Sequence, residues 1–210
     1  MRPAVVVRVI GQVLTLTALF MLLSAGVGLL YHDGSASILL VSTLVLASFG
    51  LFPYFFVPPV RQLQVRETLL IVVGSWVVIS VAGALPYLLW GPPFDLVNAL
   101  FESVSGFTTT GSSILTEVES LPKGLLFWRS ATHWIGGTGI IVFALAVLPQ
   151  LGRVGRSLFK GEFTTLVPPP RLSRAHDIAR VILIVYVGLT LLETVALLLA
   201  GVNLLSLIHI

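Results

Sequence analysis

The chain lacks cysteine and is poor in charged residues. None of its 210 residues is cysteine, which excludes disulfides, thiolate metal sites and a thiol nucleophile. Only 10% of the residues are charged, whereas a soluble domain carries about 25%. In place of charge, 56% of the residues are hydrophobic and the mean hydropathy is +1.03. This composition predicts an integral membrane protein.

Five apolar runs are long enough to cross a hydrocarbon core of about 30 Å as helices. The first exceeds the roughly 7–15 apolar residues of a signal-peptide core, so we predict that it is a membrane span. Each run is apolar on nearly every face, so length decides the assignment. The predicted fold class is an all-α integral membrane protein with five transmembrane helices, which are Val9–Leu30, Ser37–Val57, Thr68–Trp90, Gly124–Leu148 and Ile178–Leu199.

Basic residues occur mainly at the N-terminus and in two connections, 58–67 and 149–177. The other two connections, 31–36 and 91–123, are mostly acidic. Because cytoplasmic loops retain Lys and Arg, this alternation predicts a multi-pass protein with a cytoplasmic N-terminus.

A half-length helix is predicted between the third and fourth spans. Pro92-Pro93 can open it, Asp95 can cap it, and DLVNALFESVSG ends at Gly106, which can terminate a helix in the left-handed conformation. Such a helix is roughly 17 Å long, about half a bilayer. Its spacing places Asn98, Glu102 and Ser105 on one face. We therefore predict a re-entrant pore half-helix followed by a loop, FTTTGSS.

The loop after this half-helix has the residue types of an ion-coordinating segment. The β-branched side chains of Thr108, Thr109 and Thr110 favour extended backbone, and Gly111 supplies conformational freedom. Extended backbone can direct carbonyl oxygens at a monovalent cation in place of its water, and the C-terminus of the helix adds partial negative charge. A plain exposed loop is the alternative.

The fourth span contains glycines and two ionisable residues. Gly136, Gly137 and Gly139 predict close helix packing or a hinge, because no strand precedes them and no Lys-Ser/Thr follows as in a phosphate loop. Arg129 and His133 are one turn apart near the outer end. They are candidates either for a structural pairing with a carboxylate such as Glu102 or for the ion path.

Two other functional classes remain open at this stage. An intramembrane serine hydrolase would use Ser112 or Ser113 as nucleophile and His133 as base, although the serines lack a characteristic nucleophile motif. A non-conducting membrane scaffold is the other. The prediction that we favour is ion transport and no enzyme activity.

Several motifs together resemble the membrane subunit of the Trk/Ktr potassium-uptake systems, and the TrkH branch more than the KtrB branch. The resemblance extends over almost the whole chain and includes VIGQVLTLTALFMLLSAGVGLLYHDG, SVAGALPY, FESVSGFTTTGSSIL, FWRSATHWIGGTGIIV and RLSRAHDIARVILIVYVGLTLL. The combination of SGFTTTG with WIGGTGIIV at this separation is specific, whereas each motif alone is less so.

The resemblance implies potassium uptake across a bacterial inner membrane, by a channel or by symport, with potassium as the transported ligand and no covalently bound cofactor. It implies four helix–pore loop–helix units around one pore, preceded in this branch by two extra helices. The main-chain oxygens of Thr109, Thr110, Gly111 and Ser112 would form one quarter of the selectivity filter. Lipid, a second copy of the full-length protein and a cytosolic, TrkA-like nucleotide-binding ring would be partners; nucleic acid would not.

The resemblance also divides the chain. The divisions are two N-terminal helices with a cytoplasmic linker (1–66), the first pore unit (67–150), a basic cytoplasmic connection (151–177), the first helix of a second unit (178–204) and a tail (205–210). The tail is distinguished by its own residues and not by the resemblance: LSLIHI is what CTG TCT CTT ATA CAC ATC encodes, the end sequence of a transposase adapter used for sequencing libraries. We therefore expect that the tail is not native and that this chain is an N-terminal fragment.

Overall fold

The computed structural model describes residues 2–58, 64–147 and 175–201, with the side chains at 65, 141–147 and 175–179 outside the description. Within these ranges the chain is helical and contains no strand. The helices are α1 (Pro3–Tyr31), α2 (Ser35–Phe56), α3 (Val65–Gly83), α4 (Leu85–Trp90), α5 (Leu96–Phe107), α6 (Lys123–Val147) and α7 (Ala175–Leu199), with a 3₁₀ turn at Val118–Ser120. Most of the basic connection 151–177 and the tail 205–210 lie outside the described residues.

Four helical segments of the described chain are long and apolar enough to cross a membrane. They are Pro3–Tyr31, Ser35–Phe56, Arg66–Trp90 and Arg180–Leu199. The helix α6 is 25 residues long but is not among these four. The membrane class is therefore supported, and the count of five spans remains a prediction.

Asp33 joins the α1–α2 hairpin to the start of α6. Its Oδ1 accepts hydrogen bonds from the main-chain N–H of Ser35 at 3.0 Å and from the Ser35 hydroxyl at 2.6 Å, and its Oδ2 accepts one from the N–H of Gly124 at 2.9 Å. Burial opposes ionisation of this carboxyl, but the hydrogen bonds from Ser35, Gly124 and Lys123 outweigh burial and hold its pKa below the usual value.

The segment Arg66–Trp90 is interrupted toward its C-terminal end, between α3 and α4. Pro86 has no N–H to donate to the helical hydrogen-bond ladder. Just before it, the N–H of Ala84 donates to Val81 O at 3.3 Å, three residues back rather than four. The buried carbonyl of Gly83 accepts a hydrogen bond from the indole of Trp128 at 3.1 Å. Because Trp128 is fully buried in the core, this bond fixes α3 against α6.

The helix α7 lies at one side of the described bundle. None of the residues Arg180–Leu199 is fully buried, although Trp134 of α6 donates to the Thr190 hydroxyl at 3.3 Å and its ring lies 5.3 Å from that of Tyr186. Glu193, an acidic residue within an apolar span, is predicted from the sequence to be buried in a helix interface. The structure shows that it is exposed, because the described helices cover almost none of α7.

Candidate functional site: the α5 turn

The predicted half-length helix is present as α5. It has 12 residues, and the side chain of Asp95 caps it by accepting a hydrogen bond from the N–H of Asn98 at 2.7 Å. At 1.5 Å per residue α5 is about 18 Å long, which is too short to cross a bilayer. Glu102 and Ser105 are buried on its predicted polar face. The helix is therefore confirmed, although its membrane depth is not.

The C-terminus of α5 is closed by two main-chain hydrogen bonds. The N–H of Thr110 donates to Ser105 O and the N–H of Thr109 donates to Gly106 O, both at 3.0 Å. This is the pairing of a Schellman motif, in which the residue after the cap takes the left-handed conformation. Here that residue is Thr109, with φ of +56°. We name residues 108–112 the α5 turn.

Two predictions about this turn were wrong. Thr108 and Thr109 do not form extended backbone, because Thr108 has φ of −82° and ψ of 0° and Thr109 is left-handed. The left-handed residue that terminates the helix is Thr109 and not Gly106, and the helix ends at Phe107. Gly106 serves packing instead: a Cβ built there would lie 2.1 Å from Thr132 Oγ1 on α6. A β-branched residue in the left-handed conformation costs roughly 1–2 kcal/mol, so the helix packing maintains a strained turn.

The glycines of α6 allow close packing, as predicted. A Cβ built at Gly136 would lie 2.2 Å from Phe107 O and 3.1 Å from Thr109 Cγ2. One residue further, a Cβ at Gly137 would lie 2.6 Å from the Tyr186 hydroxyl on α7. The helix α6 therefore supports the α5 turn on one side and α7 on another.

Glu102 connects α5, α6 and the segment that follows the turn. Its Oε1 accepts hydrogen bonds from the Ser113 hydroxyl and from the N–H of Ile114, the latter at 2.8 Å. Its Oε2 lies 3.3 Å from Nε of Arg129. The predicted pairing of Arg129 with Glu102 is confirmed. The side chains are 8% and 1% exposed respectively, so both charges of the pair are buried.

Two carbonyls of the α5 turn accept hydrogen bonds from side chains. Arg129 Nη2 donates to Gly111 O at 3.2 Å, and the Ser105 hydroxyl donates to Ser112 O at 2.6 Å. Gly111 has φ of +76°, so its conformation is one that L side chains rarely adopt. This confirms that the turn uses the conformational freedom of glycine at Gly111. It also shows that side chains of α5 and α6 hold the carbonyls of Ser112 and Gly111.

Comparison with known proteins identifies the family. The family model TrkH, described as a cation transport protein, matches residues 41–203. The chain belongs to the TrkH family. The TrkH-family relatives include the Trk system potassium uptake protein TrkH of Vibrio parahaemolyticus, which is 37% identical over 203 residues, 94% of this chain and 41% of that protein. TrkH of Escherichia coli K12 is 34% identical over 204 residues, 94% of this chain and 42% of that protein.

A third relative, the Trk system potassium uptake protein TrkI of Halomonas elongata, is 45% identical over 132 residues, 61% of this chain and 26% of that protein. The crystal structure of the potassium transporter TrkH from Vibrio parahaemolyticus has a TM-score of 0.82 at 32% identity and covers 100% of this chain and 42% of that chain. The chain thus spans about two fifths of the length of the TrkH proteins that it matches. These relatives are named for potassium uptake, and the names include no enzyme activity and no cofactor.

The structure brings the four predicted filter residues of this TrkH-family chain together in the exposed α5 turn. Thr109, Thr110, Gly111 and Ser112 are all exposed. The main-chain oxygens of Thr109 and Thr110 accept no hydrogen bond from any described residue. The main-chain oxygens of Gly111 and Ser112, in contrast, accept hydrogen bonds from side chains. Coordination of an ion by these four oxygens remains a prediction.

The hydrolase arrangement is not present among the described residues. His133 Nδ1 lies 2.9 Å from Arg129 O, and because a carbonyl only accepts, this nitrogen donates. The Ser113 hydroxyl donates to Glu102. No hydrogen bond in the described part of the chain joins His133 to Ser112 or Ser113, so neither serine has the base that the hydrolase prediction requires.

Sequence reasoning missed the roles of Ser105 and Ser113. Both are ordinary small polar residues, and their hydrogen bonds to Ser112 O and Glu102 depend on how the chain returns after the turn. The spacing that placed Ser105 and Glu102 on one face of α5 was the available signal. It indicated a shared polar face but not its partners.

Proposed function

We propose that this chain is the N-terminal part of a membrane subunit that takes up potassium, and that Thr109, Thr110, Gly111 and Ser112 contribute main-chain oxygens to its filter. The observation that carries the proposal is the exposed α5 turn at the end of a half-length helix, where the carbonyls of Thr109 and Thr110 accept no hydrogen bond from the described residues. The names of the TrkH-family relatives support potassium as the ion.

The electrostatics of the turn favour a cation. The C-terminal end of α5 carries about half a negative elementary charge from its aligned peptide dipoles. The hydroxyls of Thr108 and Thr110 lie 2.8 Å apart beside it, and no formally charged residue occurs in residues 108–112. A weakly negative turn that carries no charged side chain of its own can replace part of an ion's water and still release the ion.

The proposal includes an assembly larger than this chain. Because a cation filter needs oxygens on several sides, one α5 turn supplies only one side of it. We propose that three further pore segments follow in the longer protein, that α1 and α2 are the extra pair and that α3 to α6 form the first pore unit. We also propose that α6 is the fourth of five spans in this chain and that α5 is re-entrant.

The proposed setting is the bacterial inner membrane, with the N-terminus and the basic connection 151–177 in the cytoplasm, as the positive charge of those segments favours. The full-length protein would act as a dimer with a cytosolic, TrkA-like nucleotide-binding ring. Whether uptake is channel-like or coupled to another ion, this part of the protein would supply the same filter oxygens. The tail 205–210 is proposed to be non-native.

Growth of an uptake-deficient bacterium at limiting potassium tests the proposal. The protein encoded by the native locus should restore growth, and Gly111→Asp should abolish the rescue because a carboxylate at φ of +76° would distort the turn and bind cations too tightly. Gly34→Asp is the matched control. Gly34 also has positive φ, +80°, and a Cβ at either glycine meets nothing within 4 Å, so Gly34→Asp should retain the rescue.

Two results would contradict the proposal. The first is failure of the unaltered protein, present in the membrane, to restore growth. The second is full rescue by Gly111→Asp. Resequencing the locus tests the proposed fragment separately, because the proposal expects an open reading frame that continues beyond about residue 203, and an authentic stop codon after Ile210 would contradict it.

A further inference from the structure

The buried pair of Glu102 and Arg129 lies directly behind the α5 turn. Glu102 binds the segment after the turn through Ser113 and Ile114. Arg129 binds the turn itself through Gly111 O, at 3.2 Å, while its Nε lies 3.3 Å from Glu102. A single guanidinium therefore contacts both the carboxylate and a proposed filter carbonyl.

The charge state of this pair matters for any cation near Gly111. A guanidinium retains its charge under all ordinary conditions, so Arg129 places a permanent positive charge one hydrogen bond away from Gly111 O. The carboxylate of Glu102 offsets that charge for an ion in the turn. If Glu102 were neutral, Arg129 would repel such an ion, and the repulsion would be strong because the pair is buried.

The geometry of Arg129 matters for the shape of the turn. The planar guanidinium has five N–H donors in a fixed arrangement, and it uses different nitrogens for Glu102 and Gly111. A lysine ammonium is a compact charge on a flexible stem and does not reproduce this double contact. A lysine at residue 129 would therefore keep the positive charge but lose the hydrogen bond that positions the Gly111 carbonyl.

We propose that Glu102 and Arg129 are positioning residues that set the cation affinity and the ion selectivity of the α5 turn. Glu102 neutralises Arg129 and fixes the returning segment, and Arg129 fixes the carbonyl of Gly111. This rests on the proposed function, because affinity and selectivity are measured as potassium uptake.

The affinity test compares three variants of the protein from the native locus, with initial uptake rates normalised to its amount in the membrane. Glu102→Gln leaves Arg129 uncompensated, and we expect its KM for potassium to rise by about tenfold or more. The double variant Glu102→Gln/Arg129→Gln removes both charges, and its KM should return toward the unaltered value. Glu117→Gln is the matched control, since Glu117 is an exposed acid after the same turn, and its KM should not change.

This comparison separates electrostatics from a merely structural role. If Glu102 only holds the fold, removing Arg129 as well restores nothing, and the double variant is at least as impaired as Glu102→Gln. That result would overturn the electrostatic part of the proposal. An unchanged KM in a normally abundant Glu102→Gln variant would also overturn it.

The selectivity test uses Arg129→Lys, which keeps both charges of the pair and so remains informative if Glu102→Gln does not reach the membrane. We expect the preference for potassium over sodium uptake to fall by about fivefold or more, because the contact with Gly111 O is lost. Unchanged selectivity would overturn the positioning role. If the unaltered protein transports no potassium, the proposed function itself fails; transport with unaffected variants contradicts only this inference.

Discussion

The contact between α6 and the end of α5 gives a sharp prediction for Gly136→Ala. The new Cβ would lie 2.2 Å from Phe107 O and 2.9 Å from the Phe107 carbonyl carbon, whereas an ordinary carbon–oxygen contact is about 3.3–3.6 Å. The helices must therefore separate by about 1 Å, since a main-chain atom cannot rotate out of the way as a side chain can. Such overpacking costs about 1–3 kcal/mol.

Helix propensity opposes this cost, because replacing glycine by alanine inside a helix gains up to about 1 kcal/mol. After subtraction of this gain, we expect Gly136→Ala to lower the free energy of unfolding by up to about 2 kcal/mol, and to leave the protein less stable than a variant that receives the gain alone. The assay is the thermal or denaturant unfolding of the purified protein in detergent. Gly26→Ala in α1 is the matched control, because a Cβ there meets nothing within 4 Å and the variant receives only the propensity gain. Equal stability of the two variants would refute the close contact.

Two further predictions concern side-chain hydrogen bonds that join helices. Asp33→Asn should destabilise the protein by about 1–3 kcal/mol, because the new amide donor faces the N–H of either Gly124 or Ser35. Since the pKa of Asp33 is lowered in the folded state, its contribution is fully present above the ordinary value of about 3.9 and is lost as pH falls through the lower folded value. Unfolding midpoints measured from pH 7 to pH 3 should therefore converge for the two proteins at the acid end. Trp128→Phe should cost about 1–3 kcal/mol by leaving Gly83 O unpaired, whereas Trp76→Phe, which removes an indole with no hydrogen bond among the described residues, should cost less; equal losses in unfolding measurements would contradict this role.

Length and composition were sufficient to predict the helical membrane class. The apolar runs that predicted the first three spans and the fifth appear as long helices, and Asp95 begins α5 as its capping chemistry requires. These features are local, because a cap or an apolar run is stabilised by residues within a few positions in sequence. The same locality explains why the half-length of α5 was predictable.

The conformation of the α5 turn was not predictable in this way. Local preference favours extended backbone at Thr109, but Gly106 and Gly136 permit contacts with α6 that fix a left-handed residue there. Those contacts join residues about 26 to 29 positions apart in sequence, so no short window contains them. Tertiary packing decided the conformation against the intrinsic preference of a β-branched residue.

The candidate site was predictable in its members but not in its connections. The pairing of Glu102 with Arg129 followed from two ionisable residues in apolar surroundings, because buried charges require partners. The hydrogen bonds to Gly111 O and Ser112 O did not follow, since they depend on the path of the chain after the turn. That path is set by Gly111 and by contacts with two helices, which sequence spacing does not specify.

The α5 turn is proposed to form part of a potassium path. Potassium flux into vesicles that contain the purified protein tests this most directly. The protein from the native locus should drive potassium accumulation under an inward gradient, the Gly34→Asp variant should match it, and the Gly111→Asp variant should give no flux above empty vesicles. Equal flux through the Gly111→Asp variant and the unaltered protein would contradict the claim.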